Sequence, residues 1–414
     1  MKLTLSKKIQ TFLPGIFLIG FNIGTGSVTA MAKAGADYGM SLLWAMLLSC
    51  WVTYFLIVTY GKYTAVTGET ALYAFRKHLH PSVGIFFIIA LTVAVCGSII
   101  GVMGIIADVC AEWSKTFVDG GIHSVWFAGF FILVVYILFW NGRTRFFQKA
   151  LALIVGIMAL SFIINFFILM PKPLDIVKGL IPSLPQIPMD IDKGPFLVVA
   201  SIVGTTVASC IFIVRTTLVK EAGWTIQDLE IQKKDARLSA FMMFIISGAI
   251  MAAAAGTLYV SGLGLTKASQ MVTLLEPLAG RFAVTIFVSG IVAAGVSSQF
   301  PNVLLLPWLI CDYSQSERDM TMGRYRIMVA LLSILGLIVP VFKAPPVIIM
   351  IASQAFGALV LPATVLGILY LTSRKKIMGE FVSSWKMNII MGCIFLFSIY
   401  MSINSIKGLS ALLS

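Results

Sequence analysis

The chain has 414 residues, of which 59% are hydrophobic and only 11% are charged. A soluble globular protein carries about 25% charged residues. The charged residues of this chain are therefore too few to cover a water-facing surface. The composition therefore predicts an integral membrane protein. The net charge of +13 does not indicate nucleic-acid binding, because the basic residues sit in short clusters between apolar runs, as the positive-inside rule predicts. No soluble-enzyme motif such as HExxH occurs; we expect neither an enzyme nor a cofactor.

Eleven apolar runs are long enough to be membrane helices. These predicted spans, numbered 1 to 11, cover residues 12–34, 42–64, 83–111, 124–140, 150–170, 196–218, 240–262, 282–306, 327–342, 347–371 and 387–406. With the N-terminus in the cytoplasm, most of the 30 basic residues fall on the cytoplasmic side. This asymmetry predicts a multi-pass protein of a prokaryotic inner (cytoplasmic) membrane. The odd number of spans then predicts an external C-terminus.

Span 1 contains an interruption, Gly24-Thr25-Gly26-Ser27, which weakens a helix. Backbone groups left unpaired at membrane depth are tolerated only where they face protein, water or a ligand. We therefore interpret these four residues as one half of a substrate site. The alternative is an unbroken Gly-rich helix that packs closely through its small residues.

Span 6 carries a similar small and polar interruption, Gly204-Thr205-Thr206-Val207-Ala208-Ser209, followed by Cys210. The two interruptions lie five spans apart, and an odd number inverts one half of the chain relative to the other. Paired interrupted helices in two inverted halves indicate the binding site of a secondary transporter. We predict a single transmembrane domain, 1–414, with one repeat over about 12–170, a second over about 196–371 and an extra helix over about 387–406. The second half of the site is formed by Thr205, Thr206, Ala208, Ser209 and Cys210.

Several short motifs resemble the Nramp (natural resistance-associated macrophage protein) family of divalent-metal transporters. They are Pro14-Gly15, Ala34-Gly35-Ala36, Gly39, Leu42-Leu43-Trp44, Gly61, Thr67-Gly68-Glu69, Ser353-Gln354, Leu361-Pro362, Thr372-Ser373 and Met378-Gly379. The resemblance spans nearly the whole chain. It implies an all-α protein of LeuT-type fold, with two inverted five-helix repeats plus an eleventh helix. It also implies secondary active transport by alternating access, with symport of protons.

The resemblance places unusual residues at the family's metal ligands in span 1. Gly24 stands at the position of the family's metal-binding Asp, and Ser27 at that of its Asn. Thr25 and Gly26 take the two positions between them. The tetrad therefore offers hydroxyls and backbone carbonyls but no charge.

The second half of the site departs from the family as well. Ala208 falls at the metal-binding Met, and Ser209 and Cys210 follow it where the family has Pro and His. A further family His falls on Arg215. Only the Gln of span 10 is retained, as Gln354, which is the single candidate metal ligand.

Two kinds of cargo fit these residues. The resemblance implies a divalent metal ion, although such an ion needs anionic or multiple oxygen ligands to replace its hydration shell. A small organic or anionic solute, such as an amino acid, is the alternative, because the second half of a broken helix presents free N–H groups to an anion. A membrane scaffold that retained the fold and lost the site is a third class. The predicted partners are lipid and the transported solute or cation.

Two intramembrane charges are candidates for coupling or gating. Arg215 is one, because charges inside a membrane are costly and usually functional; the alternative is that it extends to the cytoplasmic surface. Asp108, late in span 3, either relays protons or caps the helix end. Lys33 and Asp37 are spaced i, i+4, and we expect them to pair at the outer rim.

Overall fold

The computed structural model describes residues 13–140, 153, 156, 159–160, 162–164, 166–169, 171–183, 195–270 and 276–413. Every regular element within these residues is a helix. In this described part of the chain, eight helical stretches are long and apolar enough to cross a membrane, and Ser124–Trp140 is a shorter apolar helix. The chain is therefore an all-α, multi-pass membrane protein, as predicted. About half of span 5 lies outside the described residues.

The helices follow the predicted spans, with shorter pieces between them. The first half comprises α1 (Leu13–Asn22), α2 (Thr25–Tyr38), α3 (Leu43–Thr67), α4 (Ala71–His78), α5 (Pro81–Ser114), α6 (Ser124–Trp140) and α7 (Pro173–Gly179). The second half comprises α8 (Phe196–Thr206), α9 (Ser209–Glu221), α10 (Leu229–Ala254), α11 (Glu276–Ser314), α12 (Gly323–Ile334), α13 (Ile338–Phe342), α14 (Pro346–Ser373), α15 (Lys375–Met378) and α16 (Trp385–Leu413). Short 3₁₀ or π turns adjoin several of them, at Ile226–Asp228, Ala255–Tyr259, Leu335–Leu337 and Gly379–Phe381.

Spans 1 and 6 are both broken, as the interruptions predict. Gly24 lies between α1 and α2 in an extended conformation (φ −93°, ψ −172°), and Ala208 is extended between α8 and α9. Each break leaves carbonyls without an intrahelical partner. At the second break, the Thr206 carbonyl accepts hydrogen bonds from Asn22 Nδ2 at 3.0 Å and Thr53 Oγ1 at 2.8 Å. The two breaks are thus in direct contact.

The broken helices occupy the middle of the bundle. Most of the apolar stretch spanning α8 and α9, 94%, is buried inside the protein, whereas only 28% of the most apolar stretch of α5 is buried. Large apolar side chains on the peripheral helices face outward, among them Trp126, Phe130, Ile389 and Leu396. This distribution is that of a protein surrounded by lipid, in which the central helices carry the site.

One end of the bundle is organised around the short helix α4, which we did not predict. The Asp312 carboxylate at the end of α11 accepts the Leu72 and Tyr73 N–H groups at 3.3 and 3.4 Å. Thr216 Oγ1 of α9 accepts the Ala71 N–H at 3.0 Å. These bonds supply partners for N–H groups that a helix N-terminus leaves unpaired. We call this the α4 end of the bundle.

The opposite end is tied by the predicted pair of Lys33 and Asp37. Lys33 Nζ lies 2.6 Å from Asp37 Oδ2 and also donates to the Leu265 carbonyl at 3.0 Å. The Leu265 N–H in turn donates to Asp37 Oδ1 at 3.2 Å. The pair is confirmed, and it also fastens the segment that follows α10 onto α2.

Candidate functional site

A cavity of about 60 Å³ lies where the two helix breaks meet. Helices α1, α2, α5, α8, α9, α11 and α14 contribute to its wall, and none of the described residues that line it is charged. One water molecule needs about 10–15 Å³ on the same measure. The cavity is therefore large enough for a few waters, or for an ion that has kept part of its hydration shell.

Most of the predicted substrate-binding residues line this cavity. They are Gly24, Gly26, Ser27, Thr205, Ala208, Ser209, Cys210 and Gln354. Thr25 and Thr206 do not line it. The Thr25 side chain is fully buried beside Gly295 of α11, and the Thr206 hydroxyl donates to Met46 Sδ at 3.4 Å. The fold thus brings together two stretches that are far apart in the sequence.

Sequence reasoning missed five polar residues of the cavity wall: Asn22, Ser98, Ser298, Asn302 and Ser353. Each is a polar residue inside an otherwise apolar span. Such residues usually face the interior of a membrane bundle, and that signal was available in the sequence. Only the packing of the helices shows that all five reach one cavity.

The side-chain amide of Asn22 has its nitrogen directed away from the cavity. Nδ2 donates to the Thr206 carbonyl at 3.0 Å and to Met243 Sδ at 3.1 Å. Neither group can donate in return. Asn22 lines the cavity, and its oxygen accepts no hydrogen bond from the described residues.

Gln354 has the same arrangement on α14. Its Nε2 donates to Met350 Sδ at 3.4 Å, and a Cβ added to Gly26 would lie 2.5 Å from Nε2. The nitrogen is therefore packed against Gly26 and Met350. The Gln354 oxygen has no donor among the described residues, and it is the atom free to contact a cargo.

A third amide, that of Asn302, donates from Nδ2 to Ser98 Oγ at 3.2 Å. The Ser353 hydroxyl donates to the Ala94 carbonyl at 2.8 Å. The polar side chains of the wall therefore present mainly acceptor oxygens from amides and hydroxyls. No carboxylate or ammonium group accompanies them among the lining residues.

The structure accounts for the small residue at position 24. A Cβ added to Gly24 would lie 2.2 Å from the Cβ of Ser298 on α11. Real Cβ atoms do not approach other atoms so closely, so any larger residue forces α1 and α11 apart. The space in which an aspartate at this position would begin is occupied by Ser298.

The cavity extends from the breaks toward the α4 end. Its α5 residues begin at Leu91 and end at Ser98, and α5 runs away from the α4 end as its residue numbers rise. Beyond Ser98 the bundle is closed. A Cβ added to Gly295 would lie 2.2 Å from Ile106 and 2.9 Å from Thr25. Both of those side chains are fully buried, so the far side of the site is sealed by packing.

Arg215 lies outside the cavity, in a buried cluster toward the α4 end. Its Nη1 is 2.6 Å from Asp235 Oδ2, and the Gly15 N–H also donates to the Asp235 carboxylate. The guanidinium carbon lies 5.1 Å from the ring centre of Trp224. The alternative interpretation, that Arg215 extends to the cytoplasmic surface, is wrong, because its side chain is 0% exposed. Arg215 instead forms an ion pair with the carboxylate of Asp235 on α10.

Asp108 lies in the interior of α5, which continues to Ser114, so it does not cap the helix end. It forms no ion pair with any of the described residues. A role in coupling stays a prediction.

The comparisons with known proteins agree with the sequence motifs. The family model described as "Natural resistance-associated macrophage protein-like" matches residues 15–407. A protein of Erwinia tasmaniensis named divalent metal cation transporter MntH is 24% identical over 392 residues, covering 92% of this chain and 90% of that protein. The protein of the same name from Yersinia enterocolitica is 23% identical, with the same coverage.

Solved structures of similar fold include a protein named as a transporter. A manganese transporter of Eremococcus coleocola superposes with a TM-score of 0.78 at 15% identity, covering 98% of this chain and 87% of that one. The inward-facing structure of Mhp1 gives 0.63 at 12% identity over 97% and 90% of the two chains. At these identities the likeness shows the fold alone, which is of LeuT type as predicted. Because the family model spans almost all of the sequence, the chain belongs to the natural resistance-associated macrophage protein-like family of membrane transporters and is not an enzyme.

Proposed function

We propose that this protein is a secondary active transporter that moves a divalent metal cation by alternating access. One observation carries the proposal: the cavity at the two helix breaks presents amide and hydroxyl oxygens and no positive charge. Oxygen acceptors are the ligands that hard divalent cations prefer. The names of the Erwinia and Yersinia relatives support the same class of cargo.

The neutral wall favours an ion that keeps part of its hydration shell. Without a carboxylate, the protein cannot replace all the waters of a divalent ion at low cost. Magnesium and manganese are therefore better candidates than soft transition metals, because no thioether or thiolate lies where the family's Met binds. At that position this chain has Ala208, and Gln354 is the retained side chain. The described wall offers no basic side chain to an anionic cargo, because Arg215 is bound to Asp235 outside the cavity.

We place the protein in the cytoplasmic membrane with the α4 end inside. In that orientation the cavity faces the cytoplasm, and the packing of Ile106 against Gly295 closes the external side. Outward opening then requires release of this seal and of the tie between Lys33, Asp37 and Leu265.

Arg215 and Asp235 are proposed as an inner latch. Asp235 binds both Arg215 of α9 and the backbone of Gly15 at the start of α1. Movement of α1 away from the bundle must break these bonds. Asp108 is proposed as a second, coupling carboxylate, since it is an acidic side chain inside α5 with no basic partner in the described part of the chain.

The test is uptake of manganese and of magnesium into proteoliposomes of the purified protein, read by an entrapped metal-sensitive dye. We expect saturable uptake that falls at least about tenfold in Gln354→Leu, which removes a polar ligand of the cavity. Ser398→Ala is a matched control, because Ser398 is buried in α16 and bonds only within its own helix. Folded protein that takes up neither ion, but does take up a radiolabelled amino acid, would contradict the proposal in favour of an organic cargo.

A further inference from the structure

We infer that Met243 and Met350 are positioning residues for the cargo. Their thioether sulfurs hold the amides of Asn22 and Gln354 with the oxygens toward the cavity. The inference rests on the proposed function, because it specifies how the same site obtains its ligand chemistry. The sulfurs act one step behind the cavity wall and contact no cargo.

The chemistry of the thioether makes the orientation directional. A methionine sulfur accepts a hydrogen bond but cannot donate one. An amide that faces it must therefore present its NH2 group and send its oxygen the other way. Met243 and Met350 are 1% and 0% exposed, so no water competes for these bonds. Inside the membrane, a buried NH2 group without an acceptor is costly.

Met350 is held in place by two glycines. A Cβ added to Gly26 would lie 3.3 Å from its sulfur, and one added to Gly101 of α5 would lie 3.0 Å from its methyl carbon. The side chain is thus wedged between α2 and α5, with its sulfur 3.4 Å from Gln354 Nε2. It is the single acceptor for that nitrogen among the described residues.

The two amides differ in how far they depend on sulfur. Asn22 Nδ2 has a second acceptor, the Thr206 carbonyl at 3.0 Å, whereas Gln354 relies on Met350 alone. Loss of the Met350 sulfur therefore leaves Gln354 free to turn its NH2 group toward the cavity, where it would repel a cation. Loss of the Met243 sulfur leaves Asn22 still oriented.

The experiment is a double-mutant cycle on manganese and magnesium uptake. Met350→Leu keeps the size of the side chain but removes the acceptor. We expect KM to rise by about threefold to tenfold, the range for loss of one hydrogen bond, with little change in the maximal rate. Met243→Leu should raise KM less. Met401→Leu is the matched control, because Met401 is buried in α16 and is not one of the residues that line the cavity.

Gln354→Glu supplies the decisive background. A carboxylate has two equivalent oxygens and no NH2 group, so the atom that it presents to the cavity no longer depends on Met350. Met350→Leu should then have no further effect on KM. An equal rise in both backgrounds would mean that Met350 acts only through packing, and no rise in the native background would equally overturn the inference.

A second readout does not depend on transport. In protein labelled with [¹⁵N]glutamine, the side-chain NH2 signal of Gln354 is identified by its absence in Gln354→Glu. Its protons should exchange slowly with water in the native protein and faster in Met350→Leu. Equal exchange rates would refute the inference whatever the cargo is, whereas absent metal uptake with the expected exchange would refute only the proposed function.

Discussion

Gly24 illustrates how the packing of a neighbouring helix limits the residue at one position. Position 24 carries no side chain, and Ser298 of α11 occupies the space that a side chain would need, with 2.2 Å between the two Cβ positions. The family's usual aspartate therefore cannot be restored by a single substitution. The described wall of the cavity carries no charge, and the packing at position 24 leaves no space for an acidic side chain there.

We predict that Gly24→Asp destabilises the protein by about 1–3 kcal/mol, the usual cost of overpacking. Gly24→Asp combined with Ser298→Gly should recover most of that loss, because the contact disappears, and should bind manganese more tightly than the native protein. Thermal unfolding in detergent and manganese titration measure the two effects. Ser298→Gly alone is the control, and equal stability of Gly24→Asp and the double variant would contradict the packing argument.

Arg215 shows what a buried charge costs. Its Nε and Nη2 have no hydrogen-bond partner among the described residues, and neither has the side-chain amide of the buried Gln232 nearby. A buried ion pair with such gaps contributes little net stability, but removal of one member leaves the other uncompensated. The pair is therefore better suited to a contact that breaks during a conformational change than to one that stabilises the fold.

We expect Arg215→Met to lower the free energy of unfolding by about 3–5 kcal/mol, because Asp235 is left buried without its cation. The double variant Arg215→Met with Asp235→Leu should regain most of this stability. If the pair is the inner latch, the double variant will fold and yet show altered uptake. Native uptake by a stable double variant would show that the pair has no part in gating.

At the scale of elements, the corner between α3 and α4 joins several charged groups. Glu69 accepts hydrogen bonds from Tyr63 at 2.8 Å and Lys77 at 2.5 Å, and lies 2.8 Å from His78 Nε2. Burial raises the pKa of the Glu69 carboxyl, but these hydrogen bonds outweigh it and hold the pKa below its usual value. The bond to Glu69 also raises the pKa of Lys77. The corner therefore ties α4 to the end of α3 through ionised groups.

This depressed pKa predicts the pH dependence of the corner. A group whose pKa is lower in the folded state stabilises the protein above its unfolded pKa, about 4.3 for Glu, and loses that effect as pH falls through the folded value. The melting temperature of Glu69→Gln should thus lie below that of the native protein at pH 6. The difference should shrink as the pH falls below about 4. A difference that stays constant down to pH 3 would show that Glu69 acts without its charge.

At the scale of the whole molecule, the two ends of the bundle differ in how they are held. The α4 end is joined through helix termini, polar side chains and the Arg215–Asp235 pair, and the cavity extends toward it. The opposite end is closed by apolar packing around Ile106 and by the Lys33–Asp37 tie. The proposed alternating cycle requires such an asymmetry in one of its conformations, with one side closed by packing and the cavity extending toward the other.

We predict that the α4 end is cytoplasmic. In a variant whose native cysteines are replaced by serine, Ser316→Cys at the α4 end should react with a membrane-impermeant maleimide only after the cells are opened. Asp119→Cys, exposed at the opposite end, should react in intact cells. The reverse pattern would place the N-terminus outside and overturn the orientation argued from the basic residues.

The sequence by itself determined the class of fold and the position of both helix breaks. Long apolar runs can only be membrane helices, because backbone groups need partners in lipid. Gly24-Thr25-Gly26-Ser27 and the matching stretch of span 6 could be recognised because small and polar residues interrupt those runs. Gln354 was identified through the family resemblance. All of these signals are local patterns, and a local pattern can be recognised in the sequence without knowledge of the tertiary structure.

Only the tertiary structure decided which polar groups share the cavity and which way they face. Asn22, Ser98, Asn302 and Ser353 lie on different helices, and nothing in their spacing relates them. Arg215 was expected either in a functional site or at the surface, and Asp235 of another helix became its partner. The orientation of the Gln354 amide depends on the sulfur of Met350 one turn away and on the bare face of Gly26. These pairings and orientations depend on the distances between helices, and no single stretch of the sequence specifies those distances.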